Sequence, residues 1–428
     1  MNKKNYLYLI AYFIMISFLH PRGFEEVLPG YKTIFTLCTW ASCAMILIIV
    51  IHAFLKQYHI YKFDLLVAFT FLLIFLITLI DQKGIGAGKQ QLFAFPFISF
   101  YTIYEVRRKP INFCNIINNI LIIILSLNLI INFLYPFEEH ITFLGHVQVI
   151  AQYGILSVFT SVLILILGHK QYKKTIFQIV LTMINLVLTD ASSALLTFML
   201  FVLVSLIYIF REKQRKLWDL LLKNSTLFYC SLLILNVIFM FVACNIPIFR
   251  GFISGRDFIW QEAFAKIQKH WLLGYGIQGV LIKPFWISWT NSNGFNYGHN
   301  QIIQFFLDGG LVWFAYIILI LYFLLKKVKI SNQNYLYLLN TTLIAFMVYM
   351  IFDAPSIYSY VYIYFSFIYG LGFKFKKTDI LYLDIKLLRE KISIFLVQKV
   401  QNNILNISGN LNKKLFLRDY RINKLHHN

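Results

Sequence analysis

The sequence has few charged residues. Asp, Glu, Lys and Arg make up 13% of its 428 positions, while hydrophobic residues make up 59%. Soluble domains carry about 25% charged residues, so this chain has too few to cover a water-facing surface. Long apolar runs recur along nearly the whole sequence, as expected for membrane-spanning helices.

Cysteine is also scarce, and its positions show no metal-ligand spacing. No Cys-x-x-Cys pair is present. This pattern argues against a zinc site and against a disulfide framework. We interpret the cysteines as small apolar residues of the interior. They are Cys38, Cys43, Cys114, Cys230 and Cys244.

The net charge of +21 does not indicate a nucleic-acid-binding protein. Lys and Arg occur in short clusters between apolar runs, as membrane topology requires, and not on a basic face with interleaved aromatic residues. We therefore expect no nucleic-acid partner.

The apolar runs predict an all-α, polytopic membrane protein of about 12 transmembrane helices with one large extracytoplasmic loop. With the N-terminus inside, most of the 39 Lys and Arg residues fall on the cytoplasmic side, which places both termini in the cytoplasm. The predicted spans are 5–20, 33–54, 64–80, 91–105, 111–134, 149–168, 175–189, 193–210, 225–246, 301–325, 335–352 and 357–373.

Two domains follow from this pattern. Residues 1–373 form the predicted transmembrane helical domain, which includes the loop 247–300. Residues 374–428 form a basic cytoplasmic tail that mixes Lys and Arg with Leu and Ile. Such a tail can lie as an amphipathic helix on an anionic leaflet.

The loop 247–300 is rich in aromatic residues, which is untypical of a disordered segment. Ser254 and Asp257 have the spacing of a helix capping box. Apolar residues then recur at helical spacing and stop at Gly274-Tyr275-Gly276. The pattern predicts a helix of about 15 residues, lying along the outer membrane surface.

The loop ends in a histidine at the mouth of the next predicted span. His299 and Asn300 are followed, after nine residues, by Gly310. Placing an imidazole at the edge of an apolar span costs free energy unless the ring has a hydrogen-bond partner or contacts water. An ionisable group there therefore suggests a function. A histidine with a purely structural hydrogen bond fits the sequence equally well.

The order of these features resembles the O-antigen ligase and polymerase superfamily. That family typically shows an Arg before an aromatic-bearing helix, a Gly-x-Gly-like turn, and a His-Asn pair nine residues before a Gly. The matching stretches are Ser254-Gly255-Arg256 through Trp260, Leu273-Gly274-Tyr275-Gly276, and His299-Asn300 with Gly310.

Two further stretches bear on the resemblance. Residues 145–154 resemble the family's earlier segment of Gly and amide residues. Where the family often has a Ser-Arg pair, this chain has 189–193, in which Asp190 is the only charge. This departure puts in doubt a phosphate-binding role at that position.

The resemblance implies a GT-C-like glycosyltransferase of the bacterial inner (plasma) membrane. Its donor is a glycan on polyprenyl pyrophosphate, attacked by an acceptor sugar hydroxyl on the outer face, without a nucleotide sugar. Besides this lipid-linked oligosaccharide and membrane lipid, the implied partners are a chain-length regulator and a flippase. No spaced carboxylates or His/Asp cluster suggests a metal, so we expect no cofactor beyond, at most, loosely bound Mg²⁺.

The expected chemistry assigns roles to individual residues. A cation must stabilise the leaving pyrophosphate, which suits Arg256. A base or acceptor must orient the attacking hydroxyl, which suits His299. Arg250 is a candidate second phosphate contact. Tyr297 and Asn300 are candidates for holding the imidazole or a sugar hydroxyl.

The motifs are compatible with more than one activity. We favour a polymerase of O-antigen or capsule repeat units. A ligase, which moves a finished glycan to a lipid or protein acceptor, shares the same motifs. A flippase for polysaccharide or lipid-linked sugar is a third interpretation, but transporters usually carry ionisable residues in mid-span, which are almost absent here.

Overall fold

The computed structural model describes residues 3–25, 27–55, 61–81, 88, 90–135, 137, 141–189, 192–209, 225–246, 256–283, 294–331 and 333–372. Contacts group the chain into two units. The first contains Met1–Val50 and Phe63–Lys374, and the second contains Ile51–Lys62 and Phe375–Asn428. The predicted tail 374–428 lies outside the described residues.

The described chain is almost entirely helical. A π-helical turn, Gln90–Ala94, precedes the fourth helix, and a two-stranded hairpin pairs β1 (Ile141–Thr142) with β2 (Gly145–His146). The helices are α1 (Lys3–Phe18), α2 (Tyr31–Leu55), α3 (Lys62–Asp81), α4 (Phe95–Arg108), α5 (Pro110–Leu134), α6 (Val149–Ile166), α7 (Tyr172–Leu188), α8 (Ser192–Ile209), α9 (Ser225–Asn245), α10 (Arg256–Lys269), α11 (Gln301–Ser331), α12 (Gln333–Phe352) and α13 (Ser359–Gly372).

The all-α prediction is confirmed for the described part of the chain, where a helix overlaps each predicted span. Within the described residues, five helices are long and apolar enough to cross a membrane, and four shorter apolar helices accompany them. The protein is therefore suited to a membrane, while the number of spans stays a prediction. The five are Tyr31–Ala53, Pro110–Leu134, Val149–Ile166, Leu227–Asn245 and Gln301–Lys326.

Helix α6 lies at the centre of the helix packing and is buried along nearly its whole length. It packs against α5, α7 and α8. Polar side chains pair between these helices: Asn118 donates to Ser161 Oγ (3.2 Å), and Asn128 donates to Asn185 Oδ1 (2.7 Å). A polar group that faces neither water nor a partner is costly, so such pairs fix how neighbouring helices dock.

Helix α11 is interrupted at Gly310, whose φ of 62° and ψ of −159° are not helical. The segment after α10 docks into the break. Tyr275 N–H donates to Leu307 O (2.7 Å), while Leu311 N–H donates to Trp271 O (2.8 Å). These bonds satisfy backbone groups that an unbroken helix would have paired internally.

Replacing Gly310 with alanine is expected to destabilise the protein by about 2 kcal/mol or more. The new Cβ would lie 2.3 Å from the carbonyl carbon of Leu272, at a φ that disfavours side chains. Gly168→Ala is the control, because Gly168 also has a positive φ (92°) but would place its new Cβ in open space, with no atom within 4 Å. Thermal unfolding in detergent should show the larger loss for Gly310→Ala; equal losses would exclude the clash as the cause.

The helix predicted in the long loop is observed as α10. Its residues Ile259, Trp260 and Ala263 are buried against α9 and α11. Near the beginning of α10, Trp260 donates to Gly298 O (3.1 Å), just before the start of α11. Just beyond the end of α10, Tyr275 bonds to Leu307, which lies one to two turns inside α11. α10 therefore packs alongside α11, and its position along the outer membrane surface stays a prediction.

Candidate functional site

Six polar side chains from four parts of the chain are linked by electrostatic interactions or hydrogen bonds; we call them the polar cluster. They come from the hairpin, the start of α10, the residues before α11, and the end of α12 with the turn that follows. The members are His146, Arg256, Tyr297, His299, Tyr349 and Asp353.

Arg256 is the cation of the polar cluster and the first residue of α10. A cation at a helix N-terminus opposes the helix dipole, which favours an anion there. Burial lowers the pKa of the guanidinium, and Asp353, Tyr297 and Tyr349 oppose that shift. Since arginine stays protonated in proteins, the site holds a largely buried positive charge next to a helix end that attracts anions.

His299 places an imidazole beside that cation. Its ring lies 4.2 Å from the Tyr297 ring and 5.2 Å from the Phe295 ring, between centroids. Burial lowers the pKa of His299 to about 3, and Arg256 and His146 add to the shift. The imidazole is therefore neutral at neutral pH. Its buried Nε2 has no hydrogen-bond partner among the described residues, so it can accept a hydrogen bond in the tautomer protonated at Nδ1.

The backbone at His299 is left-handed, with a φ of 47°. Such a conformation is uncommon for a residue with a side chain and persists only where the surroundings hold it. Gly298 is held on both sides: its N–H donates to Gln304 Oε1 (2.8 Å), and its carbonyl accepts from Trp260 Nε1 (3.1 Å). Two hydrogen bonds thus hold the backbone of the residue that precedes His299.

The side chain of Asn300 holds the start of α11 through hydrogen bonds. Its Oδ1 accepts from the N–H groups of Ile302 (2.9 Å) and Ile303 (3.2 Å), which caps α11. Its Nδ2 donates to Asn236 Oδ1 (3.0 Å) and to Ile351 O (3.1 Å). Because these four bonds occupy the whole amide, we assign Asn300 to holding the start of α11 and no longer to contact with a sugar hydroxyl.

Asp353 is a member of the polar cluster that the sequence did not lead us to select. Its Oδ2 accepts from Tyr349 OH (2.6 Å), and its Oδ1 accepts from Ala354 N–H (2.8 Å). Burial raises the pKa of this carboxyl, while Tyr349, Ala354, His146 and Arg256 oppose the rise. The sequence did contain a signal for Asp353, because it is an isolated acidic residue between two apolar runs.

A second described arginine lies near the polar cluster. Arg22 is 5.8 Å from the ring centroid of Tyr358, and it donates to Gln90 Oε1 (3.0 Å). Tyr358 in turn interacts electrostatically with Asp353 and Tyr297. A signal in the sequence was available here too, because Arg22 follows the first apolar run on its predicted outer side, where basic residues are disfavoured.

The predicted site residues divide into three groups. Arg256, His299 and Tyr297 are brought together. Asn300 is next to them but serves as a helix cap. Arg250 lies outside the described residues. Among all residues that the structure describes, no three His, Cys, Asp or Glu side chains form a group suited to a metal ion. A reaction without a metal stays a prediction.

An apolar cavity of about 210 Å³ lies between α3, α4, α11, α12 and α13. Its polar end contains Gln91, Gln301, Asp308 and Ser356. Ser356 follows Asp353 by three residues and both donates to and accepts from the Gln301 amide, at 2.8 Å each. The polar end of the cavity is thus built from the same turns that carry the polar cluster. Apolar lining residues include Phe71, Ile103, Phe305, Ile320 and Met347.

Comparison with known proteins adds no assignment to these features. No protein-family model matches the chain, and no curated protein matches it. The polar cluster and the cavity are the features on which a function can rest, and the resemblance over residues 254–310 stays a hypothesis.

Proposed function

We propose that the protein is a polymerase of surface-polysaccharide repeat units, such as O-antigen or capsule. In this reaction a glycan moves from polyprenyl pyrophosphate to an acceptor sugar hydroxyl on the outer face of the bacterial inner membrane. The observation that carries the proposal is the pairing of a largely buried cation, Arg256, with a neutral imidazole, His299, whose Nε2 has no partner among the described residues.

The two groups suit the two halves of a glycosyl transfer. The acceptor oxygen forms a bond to the anomeric carbon as the bond from that carbon to the pyrophosphate oxygen breaks. Arg256 stabilises the charge that develops on the pyrophosphate through its planar set of donors. His299 Nε2 accepts the proton of the attacking hydroxyl and later releases it to water.

A pKa of about 3 describes His299 without a substrate. A bound pyrophosphate brings negative charge next to Arg256 and offsets the repulsion that this guanidinium exerts on an imidazolium. The basicity of His299 therefore rises when the donor is present. Burial, the larger cause of the lowered pKa, remains, so the donor removes only the part of the shift that Arg256 contributes.

The proposed topology has twelve spans and both termini in the cytoplasm. In it the polar cluster falls on the outer side, because α12 ends and α6, α11 and α13 begin there. Arg107 and Asp64, which form an ion pair of 2.8 Å between α4 and α3, fall at the cytoplasmic side. A lipid-linked donor in the outer leaflet can then reach Arg256 without leaving the membrane.

The apolar cavity supports a donor with a hydrocarbon chain. Met347 lines it and is buried. Met347→Trp should raise KM for a long-chain polyprenyl donor about ten-fold, because the larger side chain takes up cavity volume that the hydrocarbon chain would occupy; a ten-fold change corresponds to about 1.4 kcal/mol. Kinetics with donors of long and shortened chains measure the effect, and the volume-conserving Met347→Leu is the control. Equal KM changes for both donors would argue against this cavity as the chain site.

The decisive experiment uses the purified protein with a polyprenyl-pyrophosphate repeat unit and no nucleotide sugar. Growth of a product ladder supports the polymerase. Transfer only to a separate lipid or protein acceptor supports the ligase, which would use the same polar cluster. Substrate that crosses a vesicle membrane unchanged supports the flippase, and substrate that stays intact and in place counts against all three.

A further inference from the structure

The left-handed backbone of His299 is held through a chain of side chains that leads into α11. Gly298 N–H donates to Gln304 Oε1 (2.8 Å), and Gln304 Nε2 donates to Asp308 Oδ1 (2.7 Å). Gln304 and Asp308 are four residues apart and so lie on one face of the helix. Both are buried, with Gln304 0% and Asp308 4% exposed.

The far end of this chain is anchored in a second segment. Asp308 Oδ1 also accepts from Gln278 N–H (3.0 Å), and Gln278 Nε2 donates to Gln91 Oε1 (2.9 Å). Gln278 itself has a positive φ of 52°. Asp308 therefore ties the turn after α10 to the same glutamine that holds Gly298.

A carboxyl buried in a predicted span is expensive, and its presence calls for a reason. A helix interior needs neither Gln304 nor Asp308 for its own backbone bonds. Their hydrogen bonds go instead to two strained turns, at His299 and at Gln278. Apolar residues at these positions would pack in α11 but would leave Gly298 N–H without its acceptor.

We propose that Gln304 and Asp308 are positioning residues that hold His299 in its left-handed conformation and so aim its imidazole at the other members of the polar cluster. Gln304 acts directly by accepting from Gly298 N–H, and Asp308 acts by fixing the orientation of the Gln304 amide. With Gln304 absent, Gly298 rotates to find another acceptor and the imidazole turns away. The catalytic consequence rests on the proposed transferase function; the geometric one does not.

The first readout is kinetic. Gln304→Ala should lower kcat about 10- to 100-fold with KM changed less than about threefold, because misplacing a reacting group by about 1 Å costs on that order. Asp308→Ala should show a smaller loss of the same kind. Asp308→Asn should stay within about threefold of the wild type, since an amide Oδ1 still accepts from Gln304 and Gln278.

The second readout does not need an active enzyme. The sequence has ten histidines, and NMR of the detergent-solubilised, ring-labelled protein resolves their signals, with His299 assigned from the signal lost in His299→Gln. Gln304→Ala should move the His299 signal, whereas Asp308→Asn should leave it in place. If wild-type protein shows no transfer, this readout still decides whether the two residues position His299.

The control for general loss of a buried amide is Asn118→Ala. Asn118 is 0% exposed, and its side chain bonds to Ser161 and Thr160 of α6, not to a member of the polar cluster. Asn118→Ala should lower thermal stability without changing kcat or the His299 signal. The proposal is overturned if the His299 signal of Gln304→Ala matches the wild type, or if Asn118→Ala moves kcat and the signal as much as Gln304→Ala does.

Discussion

Replacing Arg256 with alanine is expected to reduce transfer about 100- to 1,000-fold, the usual loss when one preorganised donor to a developing anion is removed. The guanidinium is largely buried and interacts electrostatically with His299 and Asp353. Its loss removes the positive charge from the place where the pyrophosphate leaves. The measurement is the initial rate of ladder growth, with membrane levels checked in the same preparation.

Two companion variants separate charge from geometry. Arg256→Lys keeps the charge but loses the planar set of donors, so its rate should fall between those of wild type and alanine. Lys269→Ala removes an exposed cation from the other end of α10 and should leave the rate within about twofold. Near-normal transfer by Arg256→Ala would remove this residue from the site.

Replacing His299 with glutamine is expected to lower kcat about 100- to 10,000-fold, the range of a lost general base. Glutamine can still accept a hydrogen bond but cannot take up the proton. His270→Gln is the matched control, because His270 is exposed and packs on Tyr275 beyond α10. A His299→Gln enzyme with normal kcat would show that His299 only orients the acceptor.

The pH profile gives an independent check of the same residue. In the free protein the pKa of His299 is lowered to about 3, so the imidazole stays neutral, and able to accept a proton, down to that region. The profile of kcat/KM, which reports the free enzyme, should therefore show no fall from His299 near the ordinary histidine pKa of about 6.5.

The bound donor raises the pKa of His299, because its negative charge favours the imidazolium. The acid limb of kcat, which reports the complex, should accordingly lie at higher pH than that of kcat/KM. In His299→Gln this difference between the acid limbs of kcat and kcat/KM should disappear. Coincident limbs in the wild type would contradict the proposed effect of the donor.

The sequence predicted the helices well because the signal is local. Each apolar run is long enough to be recognised by itself, and the helical spacing of Trp260, Phe264 and Ile267 predicted α10 within a loop. The orientation of α10 was not predictable in this way. It depends on hydrogen bonds with Gly298 and Leu307, which are remote in the sequence.

The site was predicted in part for the same reason. Arg256 and His299 are conspicuous as ionisable groups near apolar segments. Asn300 allowed two interpretations: a contact to the imidazole or a sugar, and an N-cap, since an Asn often precedes a helix. The structure favours the N-cap. Asp353 and Arg22 each stand out in the sequence as a charge next to an apolar run. Their place beside the site could not be predicted, because it depends on the ends of distant helices meeting.

The break at Gly310 has a mechanical consequence. An unbroken helix transmits torsion along its whole length, because each peptide is coupled to the one a turn away. In α11 the peptides around the break are fastened to Trp271 and Tyr275 of a separate segment. We therefore expect twisting of the part of α11 beyond the break to be damped before it reaches His299, which lies on the other side of Gly310.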